Sequence, residues 1–224
     1  MKQLLIVANW KENVVETTEW VDVLDLYLPL IPTDEKKVVI CPPFTLLFEV
    51  KENIDARNLH IAVGSQTISE FASGAHTGEE SGDMLKELVT YVIIGHSERR
   101  KMGETNEMVN EKIARAVEHG LIPIICVSNK EQTHAIQIPE QTKQAFVAFE
   151  PLDAIGTGKP ENPEEANIVA GNIKRNVPNV RVLYGGSVNA ENVHSFTSQE
   201  LIDGVLVGGA SLDPKAFSAI IQNS

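Results

Sequence analysis

No apolar run in this sequence approaches the ~20 residues needed to span a membrane. The opening stretch Met1–Asn9 is too short and too soon polar for a signal peptide. The basic stripe of a nucleic-acid binder is missing as well: Lys+Arg number 19 against Asp+Glu 31, a net charge of -12. Cysteine is scarce. Cys41 and Cys126 both sit in apolar runs and read as buried free thiols, which suits a reducing compartment. There is no Cys/His cluster with zinc-ligand spacing, no carboxylate pair suited to magnesium, no Gly-x-x-x-x-Gly-Lys-Ser/Thr loop and no dinucleotide fingerprint. The expectation is a soluble cytoplasmic protein with no nucleic-acid or membrane partner and no cofactor or metal. If such an acidic chain binds an anion, it must use local devices: helix N-termini, glycine nests and a well-placed lysine.

What is present is regular. The 224 residues are 42% hydrophobic, enough for one well-buried core, and glycine and proline are ordinary at 15 and 11. Eight short apolar runs recur: Leu4–Asn9, Val38–Cys41, Ile61–Gln66, Tyr91–Gly95, Ile122–Val127, Phe146–Glu150, Arg181–Gly185 and Gly204–Gly208. Their near-continuous Val/Ile content suits strands covered on both faces. Helix-like stretches lie between them, at Glu16–Leu28, from a Thr45 cap through Asn53, at Thr105–His119, at Pro163–Asn176, at Ala190–Phe196 capped by Asn189, and from Asp213-Pro214 onward. The strand ends fall ~23–35 residues apart, close to the ~30 of one βαβ repeat. Eight such units without a composition break predict one domain over residues 1–224, closed as an eight-stranded (β/α)8 barrel; an open doubly wound sheet is the alternative. The fifth connection, Ser128–Lys143, is lean and contains Pro139, which predicts a short or partly irregular helix.

In a parallel barrel the chemistry sits at the carboxyl ends of the strands. The sixth strand ends in Glu150, followed by Pro151 and by Gly156 and Gly158, a carboxylate beside a glycine-bearing loop that suits proton abstraction next to a phosphate. The first strand leads through Asn9 and Trp10 to Lys11, a permanent cation at the mouth. The fourth ends Gly95-His96-Ser97-Glu98-Arg99-Arg100. A helix starting at Ser97 or Glu98 places His96 at its N-terminus, where the dipole disfavours imidazolium and a neutral ring can donate to a carbonyl oxygen. His60, His119, His134 and His194 lack that placement and read as structural. Gly-Gly pairs follow the last two strands, at Gly185-Gly186-Ser187 and Gly208-Gly209, where such barrels commonly bind phosphate.

This set resembles the triosephosphate isomerase family over essentially the whole chain and in the family's order. The resemblance rests on Asn9-Trp10-Lys11, Gly74-Ala75-His76-Thr77-Gly78-Glu79, Gly95-His96-Ser97-Glu98-Arg99, Phe149-Glu150-Pro151 with Ile155-Gly156-Thr157-Gly158-Lys159, Tyr184-Gly185-Gly186-Ser187-Val188 and Asp203–Ser211. It implies an isomerase of dihydroxyacetone phosphate and D-glyceraldehyde 3-phosphate, in glycolysis and gluconeogenesis. Glu150 would shuttle the proton and neutral His96 would polarise the carbonyl, roles already established for the family. Lys11 would stabilise phosphate and enediolate charge, with Asn9, Glu98 and Ser97 in support. Gly156, Ser187, Gly208 and Gly209 would hold the phosphate. A lid, Pro151, Leu152, Asp153, Ala154, Ile155, Gly156, Thr157, Gly158 and Lys159, would close over the site, as known for the family, with Ile155 and Leu206 clamping Glu150. Thr77, Gly78 and Glu79 would enter a neighbouring protomer, bringing Thr77 toward that protomer's Asn9 and Lys11.

Three stretches depart from the family's pattern. Leu152-Asp153 stands where a bulky aromatic is usual, Lys159-Pro160-Glu161 ends the lid, and Ser128-Asn129-Lys130 opens a shortened fifth unit. Pro160 restricts Lys159 to extended angles. The Gly74–Glu79 loop favours a homodimer, and the shortened unit resembles a compact branch of the family that can be tetrameric. Two other readings compete: a sugar-phosphate epimerase-like barrel, which would want metal ligands or paired carboxylates, and a phosphometabolite-binding protein without activity.

Overall fold

The computed structural model describes residues 2–30, 34–152 and 160–224. Its eight strands are β1 (Leu4–Asn9), β2 (Lys36–Cys41), β3 (Ile61–Ser65), β4 (Tyr91–Ile94), β5 (Ile122–Val127), β6 (Phe146–Phe149), β7 (Arg181–Tyr184) and β8 (Gly204–Val207). They pair in parallel, each with the next, and β1 closes on β8 through Leu5↔Gly204 to Ala8↔Val207. The closed barrel therefore prevails over the open sheet. Alternation along each strand builds two cores. Leu5, Val7, Val39, Ile93, Ile124, Phe146, Ala148 and Leu183 belong to one cluster, which fills the barrel. Ile6, Ala8, Val38, Ile40, Val92, Ile125 and Val147 belong to the other, with the residues of the helix layer.

The helices are α1 (Thr17–Tyr27), α2 (Phe44–Ala56), α3 (Gly82–Leu85), α4 (Ser97–Lys101), α5 (Asn106–Glu118), α6 (Lys130–Ala135), α7 (Pro163–Asn176), α8 (Val193–Thr197) and α9 (Pro214–Asn223). Sequence signals place several ends well. Thr105 Oγ1 accepts the Met108 N–H (3.3 Å), Asp213 Oδ1 accepts the Ala216 N–H (2.8 Å), and Gly120 past α5 takes φ 73°. Two caps fall elsewhere. α2 begins at Phe44 behind Pro43, so Thr45 lies inside it. Asn189 Oδ1 accepts the Glu191 and Asn192 N–H groups (2.9 Å each) and closes a turn; the helix starts only at Val193. The fifth connection holds the short α6, with Pro139 in the irregular stretch beyond it. Most predicted strands run one residue long at the carboxyl end, because the chain turns there to present the site. No helix among the described residues is long and apolar enough to cross a membrane.

The first turn after the barrel is held from behind. Trp10 is fully buried and packs edge-on against Trp20 of α1, ring centroids 4.9 Å apart. Trp20 donates its indole N–H to the Ser211 carbonyl (3.2 Å) and faces Phe217 of α9. This ties the β1 exit to the β8 exit.

Candidate active site

A cleft of about 270 Å³ opens at the carboxyl ends of the strands. It brings together Asn9, Lys11, His96, Glu150, Ser187, Gly208 and Gly209, which the chain supplies from β1, β4, β6, β7 and β8. Leu206 also lines it. Gly156 and the lid residues Asp153, Ala154, Ile155, Thr157, Gly158 and Lys159 lie outside the described residues, as does the Ile155 half of the expected clamp. Pro151 and Leu152 are described: Pro151 is buried and Leu152 is exposed.

Glu150 is 1% exposed, and its backbone N–H still bonds the Val127 carbonyl (2.8 Å). Its carboxylate accepts from the Ser97 backbone N–H through Oε2 (2.8 Å) and from His96 Nε2 through Oε1 (2.9 Å). Burial pushes the neighbouring Cys126 thiol well above its ordinary range, and the Glu150 charge adds to this, so a neutral S–H also hydrogen-bonds the carboxylate. The buried Glu150 oxygens are thus matched by hydrogen-bond donors of the protein itself. Gly185 permits the close approach of β7: a Cβ there would lie 3.2 Å from Glu150 Cγ and 3.1 Å from the Phe149 carbonyl.

The His96 tautomer follows from its partners. His96 is the N-cap of α4, and its Nδ1 accepts the Glu98 backbone N–H (3.2 Å). An accepting Nδ1 carries no proton, so a neutral ring has its N–H at Nε2, pointing at Glu150. The Glu98 carboxylate lies 3.6 Å from Nδ1. With Nδ1 already occupied by an N–H, that is proximity and not an ion pair.

Lys11 has φ 51°, a left-handed conformation rare for a side-chain-bearing residue. Three tethers hold it. Asn9 Oδ1 accepts its N–H (3.0 Å), its carbonyl accepts from Gln66 Nε2 (2.9 Å), and its ammonium meets Glu98 Oε1 at 2.5 Å. Gln66 Nε2 donates to the Cys41 carbonyl as well (3.0 Å), so one amide clamps the exits of β1, β2 and β3. Burial works against the Glu98 charge, but the Lys11 hydrogen bond and the charges of Lys11 and Lys101 outweigh it, and the carboxyl lies below its ordinary range.

The Ser187 side of the cleft is laced by two asparagines. Asn192 Nδ2 donates to the Ser187 carbonyl (3.1 Å), and Asn192 Oδ1 accepts the Asn189 N–H (2.9 Å). Both line the cleft. Next to it, Tyr184 stacks on Phe196 at 3.8 Å and its hydroxyl accepts the Glu161 N–H (3.0 Å), which fixes the chain at the start of the stretch leading into α7. Burial pushes the Tyr184 phenol up to about 12, so it remains a neutral hydroxyl.

Gln66, Asn189, Asn192 and Tyr184 were not singled out as site residues from the sequence. Gln66 and Tyr184 stand at strand ends, the one signal that could have found them. Among the described residues, no three His, Cys, Asp or Glu side chains gather as a metal site. The arrangement can hold an anion over backbone N–H groups, donate a hydrogen bond from a neutral imidazole, and offer a carboxylate beside it.

Comparison with known proteins agrees with this geometry. The family described as Triosephosphate isomerase matches residues 4–224. The chain is similar to the triosephosphate isomerase of Synechococcus sp. (strain JA-2-3B'a(2-13)), 42% identical over 99% of this chain and 97% of the relative. It is 40% identical to that of Dictyoglomus thermophilum over the full length of both. A third, from Dehalococcoides mccartyi (strain ATCC BAA-2100 / JCM 16839 / KCTC 5957 / BAV1), is 42% identical over 100% of this chain and 99% of the relative.

Proposed function

The chain belongs to the triosephosphate isomerase family and interconverts dihydroxyacetone phosphate and D-glyceraldehyde 3-phosphate, a step of glycolysis and gluconeogenesis, and we propose that Glu150, His96 and Lys11 carry the reaction. One observation supports this most: His96 Nε2–H and the Glu150 carboxylate meet at 2.9 Å at the wall of the cleft that Lys11 also lines. A substrate carbonyl oxygen can take the His96 N–H in place of Glu150 Oε1. That exchange frees a carboxylate lone pair beside the substrate's C1–H.

Glu150 then takes the C1 proton, the C–H electron pair becomes the C1=C2 bond, and the C2 carbonyl oxygen becomes the enediolate oxygen. His96 donates to that oxygen and the Lys11 charge stabilises it. The C1 hydroxyl proton passes to the C2 oxygen by way of His96 Nε2, and Glu150 returns the carbon-bound proton to C2, so that the C1=C2 electron pair forms the new C2–H bond and C1 becomes the aldehyde carbon. Asn9 holds Lys11 by its backbone, Glu98 holds its ammonium, and Ser97 steadies the resting base. Ser187, Gly208, Gly209 and Gly156 bind the phosphate, and residues 151–159 form the lid. The same reading takes residues 1–224 as one domain of a cytoplasmic enzyme.

The protein acts as a homo-oligomer, a dimer first. The support is the segment Gly74–Glu79, exposed throughout, where Phe71 stacks on His76 at 4.0 Å beside exposed Met84. Thr77, Gly78 and Glu79 form its tip.

A coupled assay with glyceraldehyde 3-phosphate and no added metal tests the activity. Metal-dependent turnover would favour an epimerase, and tight binding without turnover a binding protein. Sedimentation at assay concentration tests the assembly; a fully active monomer would overturn it.

A further inference from the structure

We propose that Arg100 is a positioning residue for the isomerisation: its guanidinium replaces a missing rung between β4 and β5 and so sets where His96 and Glu150 meet. The inference rests on the catalytic reading above.

The gap arises at Gly95. There the chain leaves β4 with φ 72°, turning so that His96 caps α4. Along β5, the Ile122 N–H bonds Thr90 on the β4 side, while the Val127 carbonyl accepts Glu150 N–H on the β6 side. Alternation therefore points the Cys126 carbonyl at β4. A strand continuing straight would answer it from residue 96. The turn removes that donor, and a buried carbonyl would be left bare.

Arg100, one turn into α4, fills the gap. Its Nε donates to the Gly95 carbonyl (2.8 Å), its Nη1 to Asn106 Oδ1 at the start of α5 (2.8 Å), and its Nη2 reaches the Cys126 carbonyl at 3.4 Å. A Cβ at position 95 would sit 3.0 Å from Nη2, so the guanidinium lies directly on the turn. The fork thus binds the residue before the electrophile, the strand beside the base, and the helix that follows. Only a planar fork reaches three such acceptors at once.

The charge acts too. Arg100 is half-buried, and burial lowers its pKa, opposed by the charges of Glu104 and Glu150. The Glu150 carboxylate is touched by the Ser97 N–H, His96 and Cys126, and the Arg100 cation stands just behind them, on the Cys126 carbonyl. Loss of a neighbouring cation makes a carboxylate hold its proton more tightly.

The test compares Arg100→Lys and Arg100→Met with the wild type, in kcat, KM and the pH profile of kcat/KM. Arg100→Lys keeps the charge and loses the fork. Its kcat should fall about tenfold or more while KM stays within about threefold, because the misplacement is at the reacting groups and not at the phosphate. Its acid limb should stay in place. Arg100→Met should lose at least as much kcat and shift the acid limb to higher pH. If Arg100→Met does not fold, the kcat loss of the folded lysine variant decides the matter.

The proposal is overturned if Arg100→Lys keeps wild-type kcat, or if the loss lies in KM or thermal stability alone. A folded methionine variant with an unmoved acid limb overturns the part played by charge. An inactive wild type would instead refute the isomerase reading, which separates the two failures.

Discussion

Replacing Glu150 by glutamine keeps the shape of the side chain and removes its basicity. In the resting site the carboxylate receives two N–H donors, from Ser97 at 2.8 Å and His96 at 2.9 Å. An amide can accept only one of them. Whichever way it turns, its own N–H2 faces a donor, and leaving a buried donor unmatched costs about 1–3 kcal/mol. Relief of a buried charge offsets part of that, so the melting temperature should fall only modestly. The kinetic loss is larger. Without a general base the rate should drop by about 10²–10⁴ or more, about 3–5 kcal/mol or more of barrier.

Aspartate makes the converse change. It keeps the base and withdraws it by one carbon–carbon bond, about 1.5 Å. Both resting hydrogen bonds would break, and a misplacement on the order of 1 Å can cost 10²-fold. The expected order is therefore wild type, then Asp, then Gln. Steady-state rates in both directions give the ranking. Exchange of the dihydroxyacetone phosphate C1 proton in D2O, followed by NMR, isolates the abstraction step. A glutamine variant that isomerises within about tenfold of wild type, or exchanges at the wild-type rate, would refute the assignment of the base.

Gln66→Met removes two hydrogen bonds to backbone carbonyls and with them one of the three tethers on the left-handed Lys11; it should destabilise the fold by about 2 kcal/mol and raise KM more than it lowers stability-corrected kcat. Urea unfolding and steady-state kinetics check both, and an unchanged KM would count against the clamp. Lys112 and Glu104 form a buried pair at 2.5 Å, with Thr67 Oγ1 3.0 Å from the ammonium. Lys112→Met alone should cost about 3–5 kcal/mol, and adding Glu104→Leu should recover part of it; additive losses in a double-mutant cycle would show the pair to be uncoupled. Glu98 has a depressed pKa in the folded state, so its contribution is fully present above its ordinary value of 4.5 and fades as pH falls below it. The difference in melting temperature between wild type and Glu98→Gln should accordingly shrink between pH 6 and about pH 3.5, and a gap that widens on acidification would contradict the sign.

Much of the site was legible because barrel chemistry collects at strand ends, and strand ends announce themselves. Val/Ile runs stop where a polar residue must leave the covered sheet, so Asn9, His96, Glu150, Ser187 and Gly208 could be marked without coordinates. Caps were readable where one side chain serves its own backbone, as with Thr105 and Asp213. Where two local signals competed, the reading slipped. Pro43, with its ring-fixed φ of -55°, starts α2 before Thr45 can cap it.

The residues hidden from the sequence serve carbonyls on neighbouring strands, most of them far away along the chain. Gln66 binds the carbonyls of residues 11 and 41, and Arg100 binds those of residues 95 and 126. Nothing in the local composition marks such a role, because the unmet acceptor exists only once the barrel has closed and the strands have turned away. The tautomer of His96 has the same origin. The sequence by itself determined the eight-unit repeat and which side chains would stand at the barrel mouth. Tertiary structure alone decided the His96 tautomer, the aim of these side chains and their support, because each depends on a hydrogen-bond partner that only closure brings within 3 Å or so.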